Sequence, residues 1–240
     1  MGRPGTAEHV DQYEVLGDRA LAPGSWPLIR LCGSGFDALL ARPEHGFRQP
    51  FDPRFGKMMV KTASYVLTRP DLDGIYGYAE HGELSLLFRR SDHERSADDL
   101  LCRALSVSSS KLSLLVGDVA CFDAHLYAIP QPQLVLGYFR WRQHEAIAHT
   151  LDGHCAHALL KSGGDPASVP KLLSGMGLDE KIEILRNNEI DYAELPVWQR
   201  RGTGIIVRVD GAPGDAARLL VDTNLPEEEA YATYLRPILG

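Results

Sequence analysis

With 240 residues, 44% of them hydrophobic, the chain can bury a substantial core, as one large domain or as a domain with an appendage. Its 25 Lys and Arg against 32 Asp and Glu give a formal charge of −7, which excludes non-specific coating of nucleic acid by a general cationic surplus while leaving room for a local basic groove. Cys32, Cys102, Cys121 and Cys155 form no CxxC pair, residues 1–18 have no signal-peptide core and no apolar run reaches membrane-spanning length, so a reduced, cytoplasmic chain is expected.

Taken in order, Pro27 to Cys32 is an apolar run ended by Gly33-Ser34-Gly35, which predicts a buried strand entering a turn. Phe55, Met58, Met59, Thr62, Tyr65 and Val66 recur at helical spacing, with Pro53 near the start and Pro70 closing the segment. Ile75–Ala79 and Leu84–Phe88 are β-prone runs flanking Glu80-His81-Gly82-Glu83, a hairpin pattern. Ser96 is placed to cap a helix, with Asp98 and Asp99 in its first turn and a stop near Gly117. Phe122–Ile129 alternates as a fourth strand before Pro130-Gln131-Pro132. Helices are then expected over Leu134 to about Lys161, Val169–Leu173 and Asp179–Asn187. A closing strand pair, Gly204–Val209 and Leu219–Asp222, surrounds a turn at Gly211 to Gly214.

The order β-α-β-β-α-β predicts an α+β fold, the split arrangement of ferredoxin-like domains that polymerase palms also use. Residues 1–132 read as the palm-like core and 133–240 as a helical region with a closing hairpin, packed on that core as one unit.

Several stretches in the same order carry a resemblance. They are Ile29-Arg30-Leu31-Cys32-Gly33 with Phe36; His45-Gly46-Phe47 followed by Pro50, Asp52 and Arg54; the Gly77-to-Phe88 hairpin; Phe122-Asp123; Trp141-Arg142-Gln143; Glu180-Lys181-Ile182-Glu183; Leu195-Pro196; and Arg201-Gly202. Together they resemble the tRNA(His) guanylyltransferase family, reverse-direction (3′-5′) polymerases that add a nucleotide to a tRNA 5′ end. The resemblance implies a nucleotide or tRNA-like ligand, Mg²⁺-dependent chemistry and assembly as a homodimer or tetramer.

That chemistry uses two divalent ions to clamp a triphosphate, and Mg²⁺ seeks carboxylate oxygens. The family's two metal-binding aspartates correspond here to Cys32 and Gly82, while Gly33 keeps the backbone position and Glu83 alone retains a carboxylate. Gln49, Asp99 and His125 stand where the family carries basic side chains. No metal is therefore expected at this place, and the expected function is ligand binding on an inherited scaffold with the two-metal transfer lost. The expected nucleotide-binding positions are Gly33, Ser34, Gly35, Phe36, Asp52 and Arg54. Arg142, Lys161, Lys181, Arg200 and Arg201 are candidates for tRNA or phosphate contact, or else members of an ordinary mixed-charge surface.

Two alternatives stay open. Cys32, His81 and Glu83 are candidate catalytic residues for altered chemistry on a nucleotide-like small molecule, a set that would suit Zn²⁺ better than Mg²⁺; Cys32 also reads simply as a small core residue. Alternatively, Glu80, Glu83 and Asp123 rebuild a metal site and the protein remains a tRNA 5′-end nucleotidyltransferase. His144, His149, His154 and His157, with Glu145 and Asp152, form pairs at i,i+3 or i,i+4 spacing that offer either a metal or phosphate site or a polar helix face.

Overall fold

Alternation along Trp26–Ser34 sends Ile29 and Leu31 into one apolar cluster and Leu28 into another. A strand covered on both sides belongs to a middle layer. The computed structural model describes residues 19–208 and 218–239. In chain order the first half comprises β1 (Ala20–Leu21), β2 (Trp26–Ser34), α1 (Phe36–Leu40), α2 (Pro53–Leu67), β3 (Gly74–Glu80), β4 (Glu83–Phe88), β5 (Arg95–Ser96), α3 (Ala97–Val116) and β6 (Cys121–Ile129). Then follow α4 (Pro132–Lys161), α5 (Val169–Ser174), α6 (Leu178–Asn187), α7 (Val197–Arg201), β7 (Thr203–Arg208), β8 (Arg218–Asp222) and α8 (Glu228–Leu239).

The main sheet runs β6-β2-β4-β3-β7-β8, antiparallel throughout. Its first four strands with α2 and α3 are the predicted β-α-β-β-α-β unit. Local signals set the helix ends. Asp52 accepts the Arg54 backbone N–H at 2.6 Å ahead of Pro53, and Ser96 accepts that of Asp99 at 3.2 Å. Gly117 ends α3 at φ 79°, where a side chain would be strained.

Helices α2 and α3 cover the Ile29 and Leu31 face. The opposite face is covered by Val135 and Phe139 of α4 and by Tyr231 and Leu235 of α8, packed on Tyr76 and Tyr78. The Tyr76 and Tyr231 hydroxyls lie 2.9 Å apart, satisfying two polar groups inside this core. A third cluster, with Leu151, Cys155, Leu173 and Leu185, joins the far half of α4 to α5 and α6.

Two features differ from the sequence reading. Helix α8 is an addition: Tyr231 and Leu235 stand one turn apart, but the segment is short and holds Pro237. The closing strand pair is integral to the sheet, because β7 pairs with β3, so the expected boundary at 132 runs across one sheet. The expected turn at Gly211 to Gly214 lies outside the described residues. Among the described residues no helix is long and apolar enough to cross a membrane.

Candidate functional site

Register places four side chains in a row. Cys32 on β2 pairs with Asp123 on β6 and with Glu83 on β4, and Glu83 pairs in turn with Glu80 on β3. Directly paired residues share a face of a pleated sheet, and this face meets α4. From α4, the fully buried Arg142 sets Nη2 2.8 Å from Glu80 Oε1 and 2.7 Å from Glu83 Oε2. Arg30, two residues before Cys32, closes on Glu83 as a fork, with Nε donating at 2.8 Å and Nη2 at 3.1 Å. The Trp141 ring lies 5.2 Å from the Arg30 guanidinium and 5.3 Å from that of Arg142. His149 donates from Nδ1 to Glu80 at 2.9 Å.

This arrangement neutralises itself. Burial alone would raise Glu80, but the His149 hydrogen bond and the charges of His81 and Arg142 outweigh it and hold the carboxyl below its usual range. That hydrogen bond to Glu80 in turn raises His149 against the effect of burial. Burial, then the neighbouring Glu83, pushes the Cys32 thiol up, the reverse of what an activated nucleophile needs.

Beside this row the turn His81-Gly82 faces a cleft of about 640 Å³, lined among others by Phe36, Arg48, Phe51, Asp52, His81 and Trp198. The Phe36 ring fills the gap between the two turns. A Cβ on Gly33 would fall 2.1 Å from it, and one on Gly82 3.1 Å. His81, at φ 42°, stacks on Phe51 with ring centroids 4.1 Å apart. Its Nε2 lies 3.2 Å from the Thr150 hydroxyl. Thr150 donates its own proton to the Gln199 carbonyl at 2.6 Å, so the imidazole proton sits on Nε2. Burial drives the ring down to about 4, with Glu80 pulling the other way; His81 is neutral at pH 7.

The structure sorts the predicted residues. Cys32 and Glu83 are neighbours, but His81 turns towards Phe51 and Thr150, so the three do not converge on one ion. Glu80 and Glu83 are bound by Arg142 and Arg30, while Asp123 stands exposed on the far strand, so the rebuilt carboxylate trio is not assembled. Among the described residues, no three His, Cys, Asp or Glu are grouped to hold a metal.

Of the expected nucleotide-binding positions, Phe36 and Asp52 line the cleft. Gly33 donates its N–H to the Gly82 carbonyl at 2.9 Å, tying the two turns together, Ser34 is exposed, and Gly35 begins α1 at φ 69°. Asp52 accepts the Arg48 N–H at 2.8 Å and pairs with Arg54 at 2.7 Å; the Arg54 hydrogen bond foremost lowers its carboxyl to about 2. Asp52 and Arg54 thus fasten the cleft's loop to α2.

The predicted basic surface does not form. Arg142 is enclosed, and Lys181 is buried against Asp152 at 2.5 Å. Arg201 pairs with Glu227, Arg200 donates to the Leu195 carbonyl at 2.9 Å, and Lys161 is exposed at the end of α4. The histidine series on α4 disperses likewise. His144 meets Glu228, His149 meets Glu80 and His154 meets Gln199, while His157 faces solvent and Asp152 is held by Lys181. Sequence reading missed Phe51, Trp198 and the role of Arg30. The last had a signal: a cation at an inward position of an apolar strand requires a buried carboxylate.

Comparison with known proteins fits this geometry. The family model described as Thg1, tRNAHis guanylyltransferase, matches residues 7–130, just over half of the chain. The chain belongs to the tRNAHis guanylyltransferase family. It is 26% identical over 209 residues to tRNA(His) guanylyltransferase 2 of Arabidopsis thaliana, covering 82% of this chain and 38% of that one. It is 25% identical over 211 residues to tRNA(His) guanylyltransferase of Candida glabrata, covering 82% and 87%. The chain thus spans little more than a third of the Arabidopsis relative. Among solved structures, it superposes on a bacterial tRNA(His) guanylyltransferase (Thg1)-like protein in complex with ATP with a TM-score of 0.77, at 18% identity and 98% coverage of both chains. For the tRNA(His) guanylyltransferase of Saccharomyces cerevisiae the TM-score is 0.72, at 23% identity, covering 85% of this chain and 93% of that one. These structures establish the fold.

Within the family, the residues of this member do not fit the magnesium pair that the resemblance implies. Position 32 presents a protonated thiol, position 82 has no side chain and faces the Phe36 ring, and both Glu83 oxygens are held by arginines. A hard ion needs exposed, anionic oxygens.

Proposed function

We propose that this family member binds a nucleotide in the cleft beside the His81-Gly82 turn and has given up metal-assisted nucleotidyl transfer. The observation that carries this reading is Glu83 clamped between Arg30 and Arg142. The remaining carboxylate of the hairpin motif has both oxygens engaged by arginines, and its charge neutralises cations of the protein. In support of binding, the cleft combines aromatic residues, Phe36, Phe51 and Trp198, with Arg48 along its lining, and similar proteins of the same fold were solved in complex with ATP and with GTP. Against chemistry on Cys32, His81 and Glu83 stand the raised thiol and the His81 ring turned to Thr150.

The test pairs two measurements. Calorimetric titration with ATP or GTP should show binding that survives removal of Mg²⁺ by a chelator. Incubation with Mg²⁺, labelled GTP and 5′-activated tRNA should leave the tRNA unlabelled. Magnesium-dependent label on the tRNA, or no nucleotide binding at all, would overturn the proposal.

Self-association belongs to the same reading. No described residue pairs with the outer edge of β8, where Leu219, Leu220 and Val221 are all exposed. Antiparallel pairing of two copies about Leu220 would continue the sheet across a two-fold axis and cover these apolar side chains. Leu220→Lys should therefore shift sedimentation from dimer to monomer with an unchanged melting profile at low concentration; a wild-type monomer at high concentration would rule the edge out.

A further inference from the structure

A second cavity, of about 350 Å³, opens on the α2 side of the sheet, separated from the first cleft by Trp198, Gly56 and His81. Its origin is topological: β7 and β8 extend the sheet beyond α2, leaving that face of β8 uncovered, with Val221 exposed. Thr203 pairs with Ala79, and Val221 pairs with Ile205 two residues further along β7, so Ala79, Thr203 and Val221 make one floor. Val60 of α2 supplies a wall and Trp198 closes the end, its indole 3.3 Å from where a Gly56 Cβ would stand. Ordinary packing leaves few voids larger than a water molecule, whereas this volume lies in the range of small-molecule sites, which are mostly apolar with a few placed polar groups.

Of the charged residues along it, Glu80 is buried and held by Arg142 and His149 of α4 on the other face of the sheet, so the exposed charges are cationic. Lys57 and Lys61 stand one helical turn apart on α2, both exposed and both lining the cavity. Neither has an ion-pair partner among the described residues. In a chain of net charge −7, whose arginines on neighbouring surfaces are closed by Asp or Glu, two uncompensated ammoniums beside an apolar cavity mark a place for an anion.

We propose that this cavity is a second ligand site, taking a planar aromatic group that bears an acidic substituent. The ring lies between Trp198 and the floor of Ala79, Thr203 and Val221, and the anion meets Lys57 and Lys61. The site is independent of nucleotide binding in the first cleft, although both share the Trp198 wall.

Anilinonaphthalene sulfonate has this chemistry and reports on its surroundings by fluorescence. Titration of the full chain should give a saturable rise with one site per chain, weakening as salt is added. Lys57→Gln with Lys61→Gln, both exposed positions, should weaken the probe by about tenfold. Val60→Trp should abolish the signal by filling the cavity, with folding verified by its melting curve; if that variant misfolds, the lysine pair alone decides. Arg48→Ala, which alters the first cleft alone, should leave probe affinity unchanged. Equal affinity in the lysine variant and the wild type would overturn the assignment. So would loss in Arg48→Ala alone, which would put the probe in the first cleft.

Discussion

Replacing Arg142 with alanine is expected to destabilise the fold by about 3–5 kcal/mol, the usual cost of stranding buried charges. Arg142 is wholly enclosed, and its removal leaves Glu80 in the core with only His149 for a partner, while Glu83 keeps Arg30. Chemical denaturation followed by tryptophan fluorescence measures the loss. Arg142→Lys should fall between the wild type and the alanine variant, because an ammonium retains the charge but its shorter side chain does not carry a nitrogen to the place where Nη2 meets both carboxylates. A loss below about 1 kcal/mol for Arg142→Ala would show that the network contributes little to holding β3 and β4 against α4.

Acid should weaken the protein well above the carboxylate range. The His81 ring, lowered to about 4 by burial, remains neutral in the folded state, whereas an unfolded chain protonates it near 6.5. Its contribution is therefore complete above pH 6.5 and is lost as the pH falls towards 4, by roughly 3 kcal/mol in all. Glu80, held low, adds a loss at lower pH still, as its own carboxyl is protonated. His149 has the opposite sign: its raised value makes it stabilising in acid and less so as the pH climbs through its folded titration. Melting temperatures between pH 7.5 and pH 4 should fall steeply for the wild type and more gently for His81→Asn. Parallel curves for the two proteins would remove His81 as the cause.

What the sequence disclosed and what it concealed divide along physical lines. The strand from Pro27, the two palm helices, the second with Ser96 and Gly117 at its ends, and the hairpin about His81-Gly82 rest on local signals, and the structure contains each of them. Cys32 and Gly82, where the resemblance implies metal-binding aspartates, were legible because they are single letters at fixed places in a motif. The clamp on Glu83 was not, since Arg30 lies 53 residues from it in the chain and Arg142 reaches it only through the packing of α4 on the sheet. Within the motif Trp141-Arg142-Gln143 nothing distinguishes an arginine for phosphate from one for the core, because α4 bears charged residues beside apolar ones around its length. The histidines misled for a related reason. Helical spacing said which of them share a face, but their partners on β3, α7 and α8 decided where each ring points.

The ring of Phe36, pressed over Gly33 and close to Gly82, makes any reversal of this site a cooperative matter. An aspartate returned to position 82 must first move that ring by a few tenths of an ångström. One returned to position 32 would sit between Glu83 and Asp123 as a third acid, within reach of Arg30, and would be quenched by it before it met an ion. On the function proposed above, no one-letter change would build an ion-binding palm here; the aromatic, the arginines and the acids would have to change in concert.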